Sequence, residues 1–219
     1  MKEMKDELKQ IIRSVKMYME TERLCGIEDF FVQPLSYQRT LEQLEQEVSG
    51  CRQCPLYKSR KNPVFGQGNQ KAQLVFVGEA PGRDEDEQGQ PFVGRAGELL
   101  TRIIQAMGFK RQDVYICNVL KCRPPENRNP LPTEIFACRG YLLAQLDIIK
   151  PKVICCMGKF ACHVLLGEDV SISKVRGKFH DYNGVKLMPT FHPAYLLRNP
   201  GAKGLVWQDM QKVMTELKK

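Results

Sequence analysis

Four short apolar runs, at 74–78, 114–118, 153–157 and 186–190, alternate with helical patterns, and this alternation constrains the fold more than any other feature of the chain. Each run is too short for a typical helix and is bounded by a break such as Gly78 or Gly158. Helices are expected near 96–107, 133–149, 159–166 and 206–217. Strands alternating with helices give a parallel sheet covered on both faces. The expected fold is therefore α/β, a three-layer α/β/α sandwich around a central, mostly parallel four-stranded sheet. In such sheets ligands bind beyond the carboxyl ends of the strands, so chemistry is sought there.

The first strand end delivers Glu79 and Ala80, followed by a long loop. Within it, Asp84, Glu85, Asp86 and Glu87 read as a solvated acidic turn, as charge runs usually do. Phe92 is different: it lies between Gly89 and Gly94, directly after Pro91, outside any periodic segment. There its ring can cap a flat ligand by stacking. The second strand ends in Asn118, whose amide offers a donor and an acceptor to a base edge at once. His192 follows the last strand, pinned before Pro193, at the same end of the sheet. His163, in the helical ACHVLL, and His180, in a polar turn, read as structural. Two nucleotide motifs are excluded: Gly158-Lys159 lacks the upstream glycine of a Walker loop, and Gly66-Gln67-Gly68 lacks the third glycine of a dinucleotide fingerprint.

The cysteines divide into two groups. Cys51 and Cys54 form a CxxC just after a helix stop, Cys122 follows the second strand, and Cys138 sits in the next helix. Four such thiolates suit zinc or an iron-sulfur cluster. Cys117, Cys155, Cys156 and Cys162 lie inside apolar runs, where free cysteine behaves as a small hydrophobe, and Cys25 has no nearby partner. A disulfide framework is not expected, because the N-terminal MKEMKDELKQ is too charged for a secretory signal. No apolar run reaches the roughly 18 residues of a membrane span, so a cytoplasmic protein without membrane contact is expected.

Residues 1–38 read as a helical extension with a stripe at Met4, Leu8, Ile11, Val15 and Met19, and 39–219 as the main domain. Ile27, Phe30 and Phe31 resemble the apolar part of peptides that dock on sliding clamps, although Leu24 stands where such peptides carry glutamine. Thr40 and Gln43 form a capping-box pair that starts the next helix, with Gly50 as its stop.

Lysine and arginine total 33 against 25 acidic residues, a formal charge of +8, which favours polyanionic partners. Arg123, Arg128, Lys174, Arg176, Lys178, Arg198 and Lys203 cluster in the loops near the strand ends, interleaved with glycine and proline, as candidates for phosphate contact.

GEAPGRDEDEQGQPFVGRAGELL, CNVLKCRPPENRNP, SKVRGK and FHPAYLLRNP, in that order from about Leu41 to the C-terminus, resemble the family 4 uracil-DNA glycosylases, the iron-sulfur type. The resemblance implies that Cys51, Cys54, Cys122 and Cys138 hold a four-iron four-sulfur cluster. It implies a uracil pocket made by Glu79, Ala80, Phe92, Asn118 and His192, with Glu79 and His192 catalytic. It implies a DNA repair hydrolase that acts on uracil in single- or double-stranded DNA as a monomer. No lysine sits in the pocket turns, so a monofunctional enzyme that leaves an abasic site is expected.

Overall fold

The structure, a computed structural model, describes residues 39–167 and 171–219. The extension at 1–38, with Ile27, Phe30 and Phe31, lies outside the described residues, and so does Cys25. The described chain forms one unit from Arg39 to Lys219.

It opens with α1 (Leu41–Ser49). The capping box is present: the Gln43 N–H donates to Thr40 Oγ1 and the Thr40 N–H to Gln43 Oε1, with Gly50 closing the helix. Then follow β1 (Gln67–Gly68), β2 (Leu74–Gly78), α2 (Arg83–Gln88), α3 (Arg95–Ala106), β3 (Tyr115–Asn118) and α4 (Pro132–Ile149). The second half runs β4 (Val153–Met157), α5 (Lys159–Leu166), α6 (Ile172–Val175), β5 (His180–Tyr182), β6 (Val185–Thr190), α7 (Pro193–Arg198) and α8 (Lys203–Leu217).

The sheet order is β1-β3-β2-β4-β6-β5. The four expected strands pair in parallel as β3-β2-β4-β6. The sheet nevertheless has six strands, because β1 and β5 add antiparallel edges. Gln67–Gly68 is too short for periodicity to register. The β5–β6 hairpin is another matter: Asn183 and Gly184 both take positive φ, 50° and 84°, as a tight two-residue hairpin turn requires. His180, expected in a polar turn, thus opens a strand, with Nε2 3.2 Å from the Val175 oxygen.

Every residue of β2, β3 and β4 is buried, as expected where both faces of a parallel sheet are covered. Val75, Val77, Cys117, Ile154 and Cys156 pack with α1, α4 and α5. Leu74, Phe76, Ile116, Val153 and Cys155 alternate to the other face, against α3 and α8. These are the three expected layers. Cys117, Cys155, Cys156 and Cys162 are buried in the core.

The acidic loop departs from the solvated turn expected of it. Residues 83–88 form α2, and Asp86 is buried, accepting from the main-chain N–H of Lys61 at 2.9 Å. Glu85 Oε2 accepts from the Gly82 N–H, and Oε1 from Val93 and Gly94, all at 3.0 Å. Gly82 followed three residues on by glutamate is a helix-start signal that a charge count overlooks.

Candidate functional site

Register carries the site. Gly78 pairs with Asn118, and Met157 with Thr190, so Glu79, Asn118, Gly158 and His192 all emerge at one end of the sheet.

Gly78 is the residue around which the pocket closes. A Cβ there would lie 2.3 Å from Asn118 Oδ1 and 2.5 Å from Phe92 Cζ, so glycine alone lets the amide and the ring meet over the strand end. Phe92 takes φ 54°, a backbone region that a bulky residue seldom adopts. Its neighbours hold it there. Glu85 anchors the following two N–H groups, Arg111 Nη2 donates to the oxygen of Pro91, and Gly97 leaves room for the Phe92 carbonyl, which a Cβ would strike at 1.8 Å. The ring lies 5.6 Å from that of His192, tilted by 34°.

Asn118 is 1% exposed, and its Oδ1 has no hydrogen-bond partner. Buried polar atoms are nearly always paired, so this orphan is an acceptor that a ligand donor would satisfy. Glu79 is partly buried, and burial pushes its carboxyl up to about 6. Ala80 packs against the core.

His192 caps α7. Its Nδ1 accepts the Ala194 N–H at 3.1 Å, which puts the proton of the neutral ring on Nε2. Burial, then Arg198, holds its pKa down near 4, although the surface leaves the residue only partly covered. Phe92 and the main chain at Gly158 pack around the ring and supply that burial. The imidazole is therefore neutral at physiological pH.

The second centre lies under α4. Cys51, Cys54, Cys122 and Cys138 line one narrow cavity of about 10 Å³ with Tyr141 and Arg60. Two donors already address its sulfurs: Arg60 Nη1 to Cys122 Sγ at 3.2 Å and the Lys121 N–H to Cys138 Sγ at 3.3 Å. Burial pushes up the thiols of Cys54, Cys122 and Cys138, the last to about 11. Among the described residues, no three His, Cys, Asp or Glu side chains are arranged to hold a single metal ion.

The basic residues fall into two sets. Arg128 is bidentate to the buried Glu134 at 2.6 and 2.9 Å, and Arg176 grips the buried Asp209 while lying 5.3 Å from the Phe191 ring. Their charges brace the chain beside Cys138 and before His192. Lys174, Lys178, Arg198 and Lys203 are exposed, and Arg123 donates to Asn127 at 2.8 Å. Arg60, Glu85, Gly78, Gly97 and Lys121 escaped sequence reasoning. Only Glu85 carried a local signal.

Comparison with known proteins places this arrangement. Residues 65–211 match the family described as Uracil DNA glycosylase superfamily. A Type-4 uracil-DNA glycosylase of Thermotoga maritima is 49% identical over 183 residues, 82% of this chain and 95% of that protein. Proteins of the same name from Archaeoglobus fulgidus and Saccharolobus solfataricus are each 46% identical, over 80% and 81% of this chain and 92% and 86% of their own lengths.

Proposed function

This chain belongs to the uracil DNA glycosylase superfamily, and from that premise we propose that it hydrolyses the N-glycosidic bond of uracil in DNA, releasing the base and leaving an abasic site. The single observation that carries the reading is the unpaired, buried Oδ1 of Asn118, packed with the Phe92 ring over Gly78.

A base in a duplex must leave the stack to be reached. Phe92 replaces the lost stacking with its own face. Asn118 Oδ1 accepts from uracil N3–H while its amide NH₂ donates to O4, and cytosine reverses both groups. Discrimination follows, because a buried amide facing the wrong edge loses two hydrogen bonds and gains two repulsions.

When the C1′–N1 bond breaks, its electron pair goes to the base, and the charge spreads to O2. His192 donates from Nε2–H to that oxygen; its Nδ1 is occupied by Ala194, so the donor is held in place before reaction. The sugar left behind carries oxocarbenium character. Glu79 in its ionised form offsets this charge and takes a proton from the water that adds at C1′. The lysine that follows Asn118, Lys121, is buried with its Nζ held by the Asn118 main-chain oxygen and Gln145 Oε1, so it is not offered to C1′ to form a Schiff base, the strand is left uncut and the enzyme is monofunctional.

Four cysteine sulfurs lining one cavity suit a four-iron four-sulfur cluster, the group that the resemblance to the iron-sulfur type of these glycosylases implies. The N–H donors already directed at Cys122 and Cys138 suit thiolate ligands of such a cluster. Cys51 and Cys54 just after α1, Cys122 after β3 and Cys138 on α4 would hold it, and it would tie these segments together and brace the loop that carries Arg123. Arg123, Lys174, Lys178, Arg198 and Lys203 serve DNA phosphates, Arg128 and Arg176 the loops themselves.

The test is incubation with a uracil-containing oligonucleotide, with thymine and cytosine controls, then alkaline cleavage and a denaturing gel. Cleavage only at uracil is expected; none from protein with its cluster intact would leave a DNA-binding member of the fold.

A further inference from the structure

Lys121 has no part in that mechanism, yet it is the residue most at odds with its surroundings. Its side chain is 1% exposed, among the largest fully buried side chains of the described residues, whereas lysine is almost never fully buried unless paired. Nζ donates to the main-chain oxygen of Asn118 at 2.7 Å and to Gln145 Oε1 at 2.6 Å. Gln145 is in turn held by its own amide, which donates to the Phe65 oxygen at 3.0 Å and to the Tyr115 hydroxyl at 3.1 Å.

The main chain of the same residue reaches the other centre. Its N–H donates to Cys138 Sγ, and the next residue is Cys122. Cys138 and Gln145 lie seven positions, or about two helical turns, apart on α4, and so share a face. Lys121 therefore grips α4 twice. Its backbone holds the helix at the cysteine cavity, and its side chain holds it two turns on, from where Nζ reaches back to the Asn118 carbonyl.

An apolar side chain of equal length would fill this space without desolvating an amine. What such a side chain lacks is directed donors, and one of these, with the Val119 N–H that donates to the Gly78 oxygen at 3.0 Å, holds both sides of the peptide plane that follows Asn118 at the end of β3. We propose that Lys121 is a positioning residue that ties the amide of Asn118 to the cysteine centre, so that the aim of the base-reading side chain depends on the packing of α4 around that centre. This rests on the assignments of Asn118 and the cysteines made above.

A double-mutant cycle tests it. The full chain with its cluster is prepared as wild type, Lys121→Met, Asn118→Ala and the double variant, and uracil release is timed with enzyme in excess over a uracil oligonucleotide. Lys121→Met should slow release by roughly 10- to 100-fold, the scale on which small misplacements act, with KM for DNA and iron per chain unchanged. In the Asn118→Ala background the same change should cost less than about three-fold, because the group that it positions is gone.

Multiplying losses would assign Lys121 to stability alone and overturn the proposal, and so would an unchanged rate. If Lys121→Met does not fold, Gln145→Met removes the second acceptor of Nζ at a distance from the ligands and should couple to Asn118→Ala in the same sense; independent effects again overturn it. Failure of the wild-type chain to release uracil would sink the glycosylase reading and this one together, and the wild-type lane identifies that case.

Discussion

The base pocket and the cysteine cavity come within four residues of each other along the chain, at Asn118 and Cys122, and are built on opposite plans. The pocket collects unlike groups from three strand ends, each held by its own main-chain device: Gly78 for clearance, Glu85 for the Phe92 loop, Ala194 for the His192 ring. It keeps one polar atom unpaired. The cavity collects like groups from three segments on one side of the sheet, and the surrounding donors already point at its sulfurs. A pocket of this kind holds binding capacity in reserve, at some cost to stability. A cavity of this kind is the reverse, a place where what binds adds to the stability of the fold.

The comparison is easiest to break at the cavity. Cys54→Ser should yield colourless, poorly soluble protein with iron lost and a lower melting temperature, because the cluster and the fold stand together; normal cluster absorbance in that variant would refute the ligand assignment.

At the pocket the effects should separate from the fold. Asn118→Ala is expected to lose about 10²- to 10³-fold in uracil release, the scale for removing one preorganised polar group, while keeping its colour. Its melting temperature should be equal or higher, since the deleted Oδ1 has no partner to lose. Full activity, or a bleached cluster, would each erase the distinction drawn between the two centres.

A smaller loss is expected from Phe92→Ala: about 1–3 kcal/mol of base stacking, or roughly 5- to 150-fold in kcat/KM. Rates measured on a substrate whose uracil is already unstacked should be affected as much as those on a duplex; a loss confined to the duplex would mean that the ring acts in opening the stack.

The smallest effect is one of pH. Glu79 is pushed up to about 6 and His192 down to about 4, so between these values the pocket holds a neutral imidazole beside a carboxyl that is losing its charge as pH falls. The acid limb of kcat/KM, which reports the free enzyme, should therefore lie near 6 and fall about ten-fold per unit below it. Glu79→Gln should be slower at neutral pH and lack that limb. A limb unmoved by the substitution would remove Glu79 from the reaction.

Much of this protein is legible in its amino-acid sequence. Apolar periodicity records which surfaces are buried, and it locates all four parallel strands, the helices between them and the sheet end where Glu79, Asn118 and His192 emerge. Cysteine is chemically distinctive enough that spacing alone separates the four cavity residues from those of the core. What only the tertiary structure decided is how polar groups are paired, because a charged side chain reads the same in sequence whether it meets water or a partner distant along the chain. Asp86 turned inward to Lys61 and Asn62, Arg128 and Arg176 turned to Glu134 and Asp209, and Lys121 came to rest between Asn118 and Gln145. The histidine tautomer followed the same rule, set by the turn into α7 and not by the residue itself. Burial of apolar surface is a local, periodic property of the chain, whereas the pairing of its charges is settled when distant elements meet.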